Sequence, residues 1–444
     1  MMDLAKVQEL LEGKQYSLLK EELIKEQNVD IAEFIDELDA KHTLLVYRLL
    51  PKEIAADVFS HLSPESQAQL SVLVNEKELQ DILDDLKFDD KIDFLEEVPA
   101  NVVKRILQNS SETERRLINK FLNYPEDSAG SLMAIEFVDL KKEMLVQEAL
   151  DKIRVSAPDK ETIYICYVTD RSRHLEGVLS LRELVVASPT QKVEEIMGRE
   201  VIFVNTLDDK EDVAELIKKY DLLALPVTDN EKRLVGIITV DDIVDVIEEE
   251  STEDIHKMAT VGKLDANLLA ASPFLLVKKR LPWLMILIFI NIFSGACIAY
   301  YEATIQAVIA LVFFLPLLID SAGNAGSQSA TLMIRALTIG DVKIGDWFIL
   351  FRKEIVVGLL LGVLMGFAVS IIGIFRGGLD VAVVVALTML AVVLVGSTIG
   401  MSLPFLFSKL KIDPALASGP LVTSIADITG VLIYFSIATW YLSV

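Results

Sequence analysis

The chain has 444 residues, too many for one hydrophobic core, so several domains are expected. Its mean hydropathy of +0.43 is high for a soluble protein, yet 24% of its residues are charged and its formal net charge is −24. From Phe274 onward there are 10 Lys and Arg against 8 Asp and Glu, whereas the preceding part has 32 against 58. This division predicts a strongly acidic soluble part joined to a near-neutral membrane part. The acidic surface argues against nucleic acid as a partner and suits divalent cations or basic partners, or serves solubility alone.

Two cysteines, Cys166 and Cys297, are too few for a disulfide framework. The first fifteen residues, MMDLAKVQELLEGKQ, have no apolar segment, so no signal peptide is expected.

Residues 1–131 are predicted to form helices throughout. LLPKEIAADVF at 49–59 resembles EEVPANVVKRIL at 96–107, and in both a proline opens an amphipathic helix. Short helices that repeat and stack predict a superhelical domain.

Acidic residues concentrate near the middle of this helical domain. Asp85, Asp89 and Asp93 are four residues apart, so on a single helix they would share one face. Like charges at that spacing destabilise an isolated helix. The face is either simply solvated or neutralised by a cation or a basic partner, and the density of acid favours a bound ligand.

Between residues 132 and 249 strand-like and helical patterns alternate, and their order repeats. The paired runs are ICYVTD (165–170) with LEGVLS (175–180), and LPVTD (225–229) with LVGIIT (234–239). The stretch LPVTDNEKRLVGIITVDDI resembles the CBS family, so we expect a tandem α+β pair at 132–199 and 200–249. This resemblance implies a sensor of an adenine nucleotide such as ATP, or of a metal ion.

Within the pair, the second copy resembles the family's ribose-binding S/T-x-x-D signature. Thr239 and Asp242 stand at its two defined positions, whereas the first copy has Ser180 and Glu183 there. A nucleotide is therefore expected at the second copy rather than the first.

Residues 244–269 (VDVIEEESTEDIHKMATVGKLDANLL) predict a long acidic connector helix, assigned to 250–275, between the sensor and the membrane part. The acids that could ligate cations there are Glu248, Glu249, Glu250, Glu253 and Asp254. The alternative is a solvated linker helix that carries many charges.

The membrane part, 276–444, is predicted to contain five transmembrane helices, from the length of its apolar runs. They are placed at 283–300, 304–334, 355–375, 381–407 and 415–442. One side of the membrane receives Lys278, Lys279, Arg280, Arg335, Lys343, Arg352, Lys353, Lys409 and Lys411. The other side receives only Arg376. We therefore expect a multi-pass protein of the cell (inner) membrane, with its N-terminal domains in the cytoplasm and its C-terminus on the outer side.

Two of these spans are more polar than contact with lipid requires. The second contains LPLLIDSAGNAGSQSATLMIRAL at 315–337, and the fifth contains Asp427 within IADITG. A carboxylate inside an apolar helix costs roughly 2.5 kcal/mol or more, so Asp427 is predicted to face a pore or a partner. Small polar residues also hold membrane helices together, but that role does not explain an aspartate. The predicted pore-lining residues besides Asp427 are Asp320, Asn324, Gln328, Gly419 and Thr423.

The polar groups in these spans are hard oxygen ligands. Cys297 is the only thiol of the membrane part, and His42, His61, His174 and His256 all lie outside the spans. This composition argues against Zn²⁺ or Cu²⁺ and, with no HExxH motif, against an intramembrane metalloprotease. Oxygen ligands select Mg²⁺, Ca²⁺ or Mn²⁺, and a wide site with few carboxylates suits a hydrated Mg²⁺.

LPLLIDSAGNAGSQSATLMIRAL together with KIDPALASGPLVTSIADITGVLIY (411–434) resembles the MgtE family of magnesium channels. The order of helical domain, CBS pair, acidic connector and five spans is similar over the whole chain. The resemblance implies a homodimer with its pore on the two-fold axis, and a transport protein rather than an enzyme. It also implies closure when Mg²⁺ draws the acidic cytosolic faces against a plug helix.

The resemblance also implies metal-binding positions. Asp427 resembles the pore ligand and Asp413, in KIDPAL, the acid at the cytoplasmic mouth. The further implied positions are Glu250, Glu253 and Asp254 in the plug helix, Asp242, Asp245, Asp209, Glu211 and Asp221 in the second CBS copy, the carbonyl of Gly130, and Asp85, Asp89 and Glu53 in the N-domain. Gly419 departs from family members that carry Asn there, so only its backbone carbonyl could contact a hydrated ion.

Two functions of different kinds follow from the sequence. The first is a Mg²⁺-selective channel gated by cytosolic Mg²⁺. The alternative is an ion-coupled secondary transporter of divalent cations regulated by the CBS pair, in which Asp320 or Asp427 would carry protons. A signalling protein with a mere membrane anchor is disfavoured by the polar spans.

Overall fold

The computed structural model describes residues 4–262, 264 and 271–443, without the side chains of residues 4, 5 and 53. The chain divides into two compact units, Met1–Glu248 and Glu249–Val444. Each hydrophobic cluster of the described residues lies within one unit.

The first unit begins with a series of short helices. They are α1 (Leu4–Glu12), α2 (Tyr16–Leu23), α3 (Asn28–Asp36), α4 (Ala40–Tyr47), α5 (Lys52–Ser60), α6 (Pro64–Leu73), α7 (Glu76–Asp85), α8 (Phe88–Glu97), α9 (Ala100–Asn109), α10 (Glu112–Phe121) and α11 (Ala129–Leu132). Pro51 and Pro99 occupy the N-caps of α5 and α9, because a proline lacks the N–H that a helix start cannot pair. Helices α3, α4, α5 and α6 each pack against the second helix that follows, which is the stacking expected of a superhelix.

The acidic face predicted for Asp85, Asp89 and Asp93 does not exist as one helix face. Helix α7 ends at Asp85, Leu86 and Lys87 are extended with ψ of 148° and 157°, and α8 begins at Phe88. This turn lets Leu83 and Phe88 both enter the core. The prediction of a shared face was therefore wrong, because burial of the apolar residues between the acids places a turn between the two helices.

The CBS region contains two three-stranded sheets among the described residues. The first sheet has β1 (Val138–Leu140), β2 (Ile165–Thr169) and β3 (Leu175–Ser180), and the second has β4 (Val204–Asn205), β5 (Ala224–Thr228) and β6 (Leu234–Thr239). Their helices are α12 (Val146–Ser156), α13 (Leu181–Val186), α14 (Val193–Ile196), α15 (Lys210–Tyr220) and α16 (Val240–Met258). In each sheet the first pair of strands is parallel and the second antiparallel, which confirms the tandem pair.

The segment that precedes each sheet pairs with the last strand of the other sheet. Ala134, which precedes the first sheet, pairs with Ile237 of β6, and Gly198 pairs with Val178 of β3. A Cβ on Gly236 would lie 2.7 Å from the Met133 sulfur, and a Cβ on Gly177 would lie 2.8 Å from the Met197 sulfur. The copies are thus related as equivalent halves, and glycine is needed at the same place in both.

One hydrophobic cluster extends from the N-terminal helices into the second CBS copy. It includes Phe59 and Phe94 of the helices and Leu225 and Ile238 of the second sheet. The first copy has a separate cluster that contains Cys166 and Leu179. The N-domain and second copy therefore fold around shared apolar contacts.

The second unit holds the apolar helices. They are α17 (Pro273–Tyr300), α18 (Glu302–Ala307), α19 (Ala310–Thr338), α20 (Trp347–Lys409) and α21 (Gly419–Leu442). Within the described ranges four helical segments are long and apolar enough to cross a membrane. The longest includes α20, whose helix is interrupted at Gly378 (φ 80°, ψ −173°), so residues 347–377 and 379–409 could each cross. The count of five spans stays a prediction.

Two boundaries differ from expectation. The predicted second span, 304–334, is broken near Val308 between α18 and α19, whereas Pro316 lies inside α19 without ending it. The connector helix α16 ends at Met258 rather than continuing to residue 269. Thr260 has a φ of +57°, and the N–H of Val261 donates to the His256 carbonyl, as in a Schellman motif. Residues 263 and 265–270 of the predicted connector lie outside the described residues.

Candidate cation sites

The two polar motifs of the membrane part pack against each other. Thr423 Oγ1 donates to the Gly419 carbonyl at 2.9 Å, and Ser327 Oγ donates to the same carbonyl at 3.3 Å. The Ser327 and Thr423 hydroxyl oxygens lie 3.2 Å apart. The carbonyl of Gly419, a predicted pore-lining residue, thus accepts two hydrogen bonds, and the one from Ser327 joins α19 to α21.

Asp427 lies in the first half of α21 and is half-buried, whereas Ala426 and Gly430 of the same helix are buried. Asp320 of α19 is exposed and close enough for its charge to interact with Asp427. Asn324 Nδ2 donates to Asp320 Oδ2 at 3.3 Å. The structure therefore brings a carboxylate from each polar motif to the same side of the helix pair.

Asp320, Asn324 and Gln328 follow one another at intervals of four residues, and all three are exposed. They form a polar stripe along an apolar helix, on the side that does not pack against the rest of the unit. Such polarity at membrane depth requires water or protein opposite it. The stripe can accompany a hydrated cation along the helix axis.

The C-terminal part of α16, residues 253–258, is called the plug end below. Lys257 Nζ lies 2.6 Å from Glu253 Oε1 and 2.5 Å from Asp413 Oδ2. The other oxygen of Asp413 accepts from the backbone N–H of Ala415 at 2.8 Å. Burial opposes the charge of Lys257, but the hydrogen bonds to Asp413 and Glu253 outweigh it and raise the pKa of the ammonium.

Further contacts seat the plug end against the helices of the second unit. Thr338 Oγ1 donates to Asp254 Oδ2 at 3.4 Å, and Met258 packs against Ile334, Ala415 and Ala417. Burial, followed by the nearby charge of Asp413, raises the pKa of Asp254 above its usual range. Two of the predicted plug acids and the predicted mouth acid are thus close together.

Lys257 is a functional candidate that sequence reasoning missed. Its i,i+4 spacing from Glu253 was a visible signal. Its contact with Asp413, 156 residues away in the chain, had no local signal.

A second concentration of carboxylates lies within the first unit. Burial and then the charges of Asp90, Asp242 and Glu161 raise the pKa of Asp89 to about 8. Burial also raises the pKa of Asp242 to about 6. Asp89 Oδ1 is buried and has no hydrogen-bond partner among the described atoms. An unsatisfied buried carboxylate beside three others is a suitable environment for a cation.

Asp242 also forms the internal contact of the predicted ribose-binding pair. Thr239 Oγ1 donates to Asp242 Oδ2 at 2.7 Å, and the Thr239 N–H donates to the same oxygen at 3.2 Å. Ser180 and Glu183 make the equivalent helix cap in the first copy. The signature thus caps a helix in both copies.

Three predicted acids of the second copy are separated by α15. Asp209 caps its start by accepting from the Glu211 N–H, whereas Asp221 ends it with a left-handed backbone (φ 51°). A helix rises about 1.5 Å per residue, so Asp209 and Asp221 are about 18 Å apart along its axis. One chain cannot place both on the same ion.

The remaining predicted positions are dispersed. Asp85 pairs with Lys52 at 3.4 Å, and the Gly130 N–H donates to the Thr206 carbonyl at 2.9 Å. Asp245 is exposed and Glu250 is half-exposed on α16, whereas the side chain of Glu53 lies outside the description. Throughout the described ranges, no three His, Cys, Asp or Glu side chains converge as ligands of one metal ion. A cation held here would need waters, backbone oxygens or another chain.

Comparisons with known proteins cover most of the chain. Residues 315–437 match the MgtE family of divalent cation transporters, residues 26–127 match the MgtE intracellular N domain, and residues 193–249 match the CBS domain. The magnesium transporter MgtE of Thermus thermophilus is 42% identical over 97% of both chains. That of Bacillus subtilis is 34% identical over 94% of this chain and 92% of its own.

A solved structure supports the fold of the soluble part. It is the cytosolic domain of the Mg²⁺ channel MgtE in complex with ATP, which is 42% identical to this chain with a TM-score of 0.52. The match covers 55% of this chain and 99% of the solved one. Together with the match of the helical, CBS and membrane regions in the same order, these similarities show that the chain belongs to the MgtE family.

Proposed function

We propose that the protein is a Mg²⁺-selective channel that imports magnesium down its electrochemical gradient and is closed by Mg²⁺ bound to its acidic cytosolic part. The observation that carries this proposal is that the two polar motifs are joined by Ser327, Gly419 and Thr423, with Asp320 near enough to Asp427 for their charges to interact. Relatives that are magnesium transporters by name, and a Mg²⁺ channel among the solved structures, support it. The protein acts in transport and not as an enzyme.

The ion crosses as hydrated Mg²⁺ in contact with Asp427. Mg²⁺ gives up its waters reluctantly, so a few carboxylates and hydroxyls that contact those waters suffice. A single chain offers only one side of such a path. A homodimer in the membrane lipid, with the pore on its two-fold axis, supplies a second Asp427 opposite the first.

Closure depends on the cytosolic acids. The regulatory ions bind at the plug acids Glu250, Glu253 and Asp254 with Asp413, and at the buried group around Asp89 and Asp242. This mechanism requires every domain that precedes the membrane domain (276–444) in the chain to lie in the cytoplasm. These domains are the N-domain (1–131), the CBS copies (132–199 and 200–249) and the connector (250–275). The C-terminus then lies outside, and ATP bound at the CBS pair modulates the response, as the ATP complex of the similar cytosolic domain supports.

The test of the pore is Asp427→Ala in cells that lack other magnesium importers. We expect uptake to fall at least about a hundredfold, because the path loses the charge that attracts the ion, while the protein still inserts. Asp380→Asn, an exposed acid elsewhere in the membrane part, is the matched control and retains uptake. Normal uptake by the Asp427 variant would remove this residue from the pore.

The alternative function is an ion-coupled secondary transporter, favoured by the nearness of two carboxylates that could exchange a proton. Electrical recording from single reconstituted dimers separates the two. A channel passes discrete currents down the Mg²⁺ gradient without a proton gradient, whereas a coupled transporter gives no resolvable unitary current.

A further inference from the structure

The plug end carries a cation of its own. Lys257 Nζ bridges Glu253, one turn earlier on α16, and Asp413, which precedes α21. The side chains of Lys257, Glu253 and Asp413 are only 27%, 24% and 31% exposed, so water screens this contact only in part.

Both oxygens of the Asp413 carboxylate are engaged in this contact. One oxygen accepts from Lys257 and the other from the Ala415 N–H. A divalent ion that bound Asp413 Oδ2 between the plug end and the loop before α21 would compete with the ammonium for that oxygen. Lys257 therefore occupies the place of a bridging cation between the plug end and the loop before α21.

We propose that Lys257 is a positioning residue of the gate, whose ammonium holds the plug end on Asp413 when Mg²⁺ is absent and so lowers the Mg²⁺ concentration that closes the pathway. This inference rests on the proposed function in treating α16 as the gate. Without the ammonium, the neighbouring carboxylates of Glu253, Asp254 and Asp413 lose the cation that lies between them. Their repulsion then favours release of the plug end, and added Mg²⁺ offsets it by bridging the carboxylates.

Cross-linking of the full chain in EDTA measures the position of the plug end without any requirement for Mg²⁺ transport. Met258→Cys and Ile334→Cys are introduced where Met258 packs against the cluster that contains Ile334, after Cys166→Ala and Cys297→Ala remove the native thiols. A short thiol-specific bifunctional reagent reports how often the two sites are close. In this background Lys257→Met is expected to cross-link roughly fivefold more slowly, the effect of about 1 kcal/mol for a partly exposed ion pair.

Lys257→Arg is the matched variant that keeps the charge, and it is expected to cross-link at nearly the parent rate. Millimolar Mg²⁺ is expected to restore cross-linking of Lys257→Met, because the divalent ion replaces the missing ammonium. Since a misfolded protein would not be restored, this result also shows that the variant is folded. Equal rates for the Met variant and its parent in EDTA would overturn the proposal, as would failure of Mg²⁺ to restore the rate.

Uptake measurements give the second readout. In the protein with its native cysteines, Lys257→Met is expected to raise the Mg²⁺ concentration for half-closure roughly fivefold, and Lys257→Arg to leave it near that of the parent. A lower closing concentration in Lys257→Met would mean that the ammonium only competes with Mg²⁺, and would overturn the inference. If the chain carried no Mg²⁺ at all, the proposed function would fail while the difference in EDTA cross-linking remained.

Discussion

The side chain of Asp89 is buried beside the carboxylates of Asp90, Asp242 and Glu161. Lys87 lies near this group, and its Nζ is 2.9 Å from Glu161 Oε1. Burial, aided by these charges, raises the pKa of Asp89 from 3.8 to about 8. In the absence of divalent ions the folded state therefore binds this proton more tightly than the unfolded state does.

The sign of the resulting pH dependence follows from the raised pKa. The stabilisation from the proton on Asp89 is fully present below about pH 4 and is lost as pH rises through 8. In EDTA, the cytosolic unit of the full chain should thus resist urea less well at pH 8.5 than at pH 5. Asp89→Asn, which stays neutral, should reduce that difference by on the order of 2 kcal/mol, since one pKa unit is about 1.4 kcal/mol and relaxation lowers the effect.

Pulse proteolysis at increasing urea concentration measures this change at each pH. Asp85→Asn is the control, because Asp85 is exposed and paired with Lys52. If Asp89→Asn and the parent lost stability equally between pH 5 and pH 8.5, Asp89 would not be the titrating group.

At the scale of helices, the closest approach that supports the ion path is between α19 and α20. A Cβ on Gly400 would lie 1.9 Å from the Gly326 carbonyl oxygen, and a Cβ on Gly396 would lie 2.4 Å from the Ala322 oxygen. Both would meet rigid backbone rather than a movable side chain. The glycines of α20 therefore let α19 come close enough for its polar stripe to stand beside Asp427.

Gly400→Ala is expected to destabilise the membrane unit by about 3 kcal/mol or more, because the two helices must separate to admit the methyl group. The measurement is the thermal aggregation midpoint of the detergent-solubilised protein, followed by size-exclusion chromatography. Gly295→Ala is the matched control, since a Cβ there meets nothing within 4 Å. Equal midpoints for the two variants would show that α19 and α20 are not packed this closely.

Helices and strands with a repeating pattern could be predicted, whereas their ends and long-range contacts could not. The tandem sheets were predictable because LPVTD and LVGIIT restate the order of ICYVTD and LEGVLS. The end of α16 was missed because Thr260, a residue that seldom adopts a positive φ, ends the helix in place of a glycine. The contact of Lys257 with Asp413 depends on how the plug end packs, which no local pattern encodes.

For the whole molecule, the decisive quantity is the uneven distribution of charge. The residues before Phe274 carry 58 Asp and Glu against 32 Lys and Arg, while the membrane part is nearly neutral. In a homodimer the two acidic parts repel each other. Monovalent salt only screens this repulsion, whereas Mg²⁺ can also bridge carboxylates, so the two should have different effects on the proposed gate.

Protease protection of residues 244–269 in the reconstituted protein tests this difference. We expect millimolar Mg²⁺ to slow cleavage of this segment roughly tenfold by closing the gate, which corresponds to about 1.4 kcal/mol. NaCl at the same ionic strength is the control and should slow it far less, because Na⁺ screens charges but does not link carboxylates. Equal protection by the two salts would mean that screening alone compacts the acidic part, and bridging by Mg²⁺ would then have no role in closure.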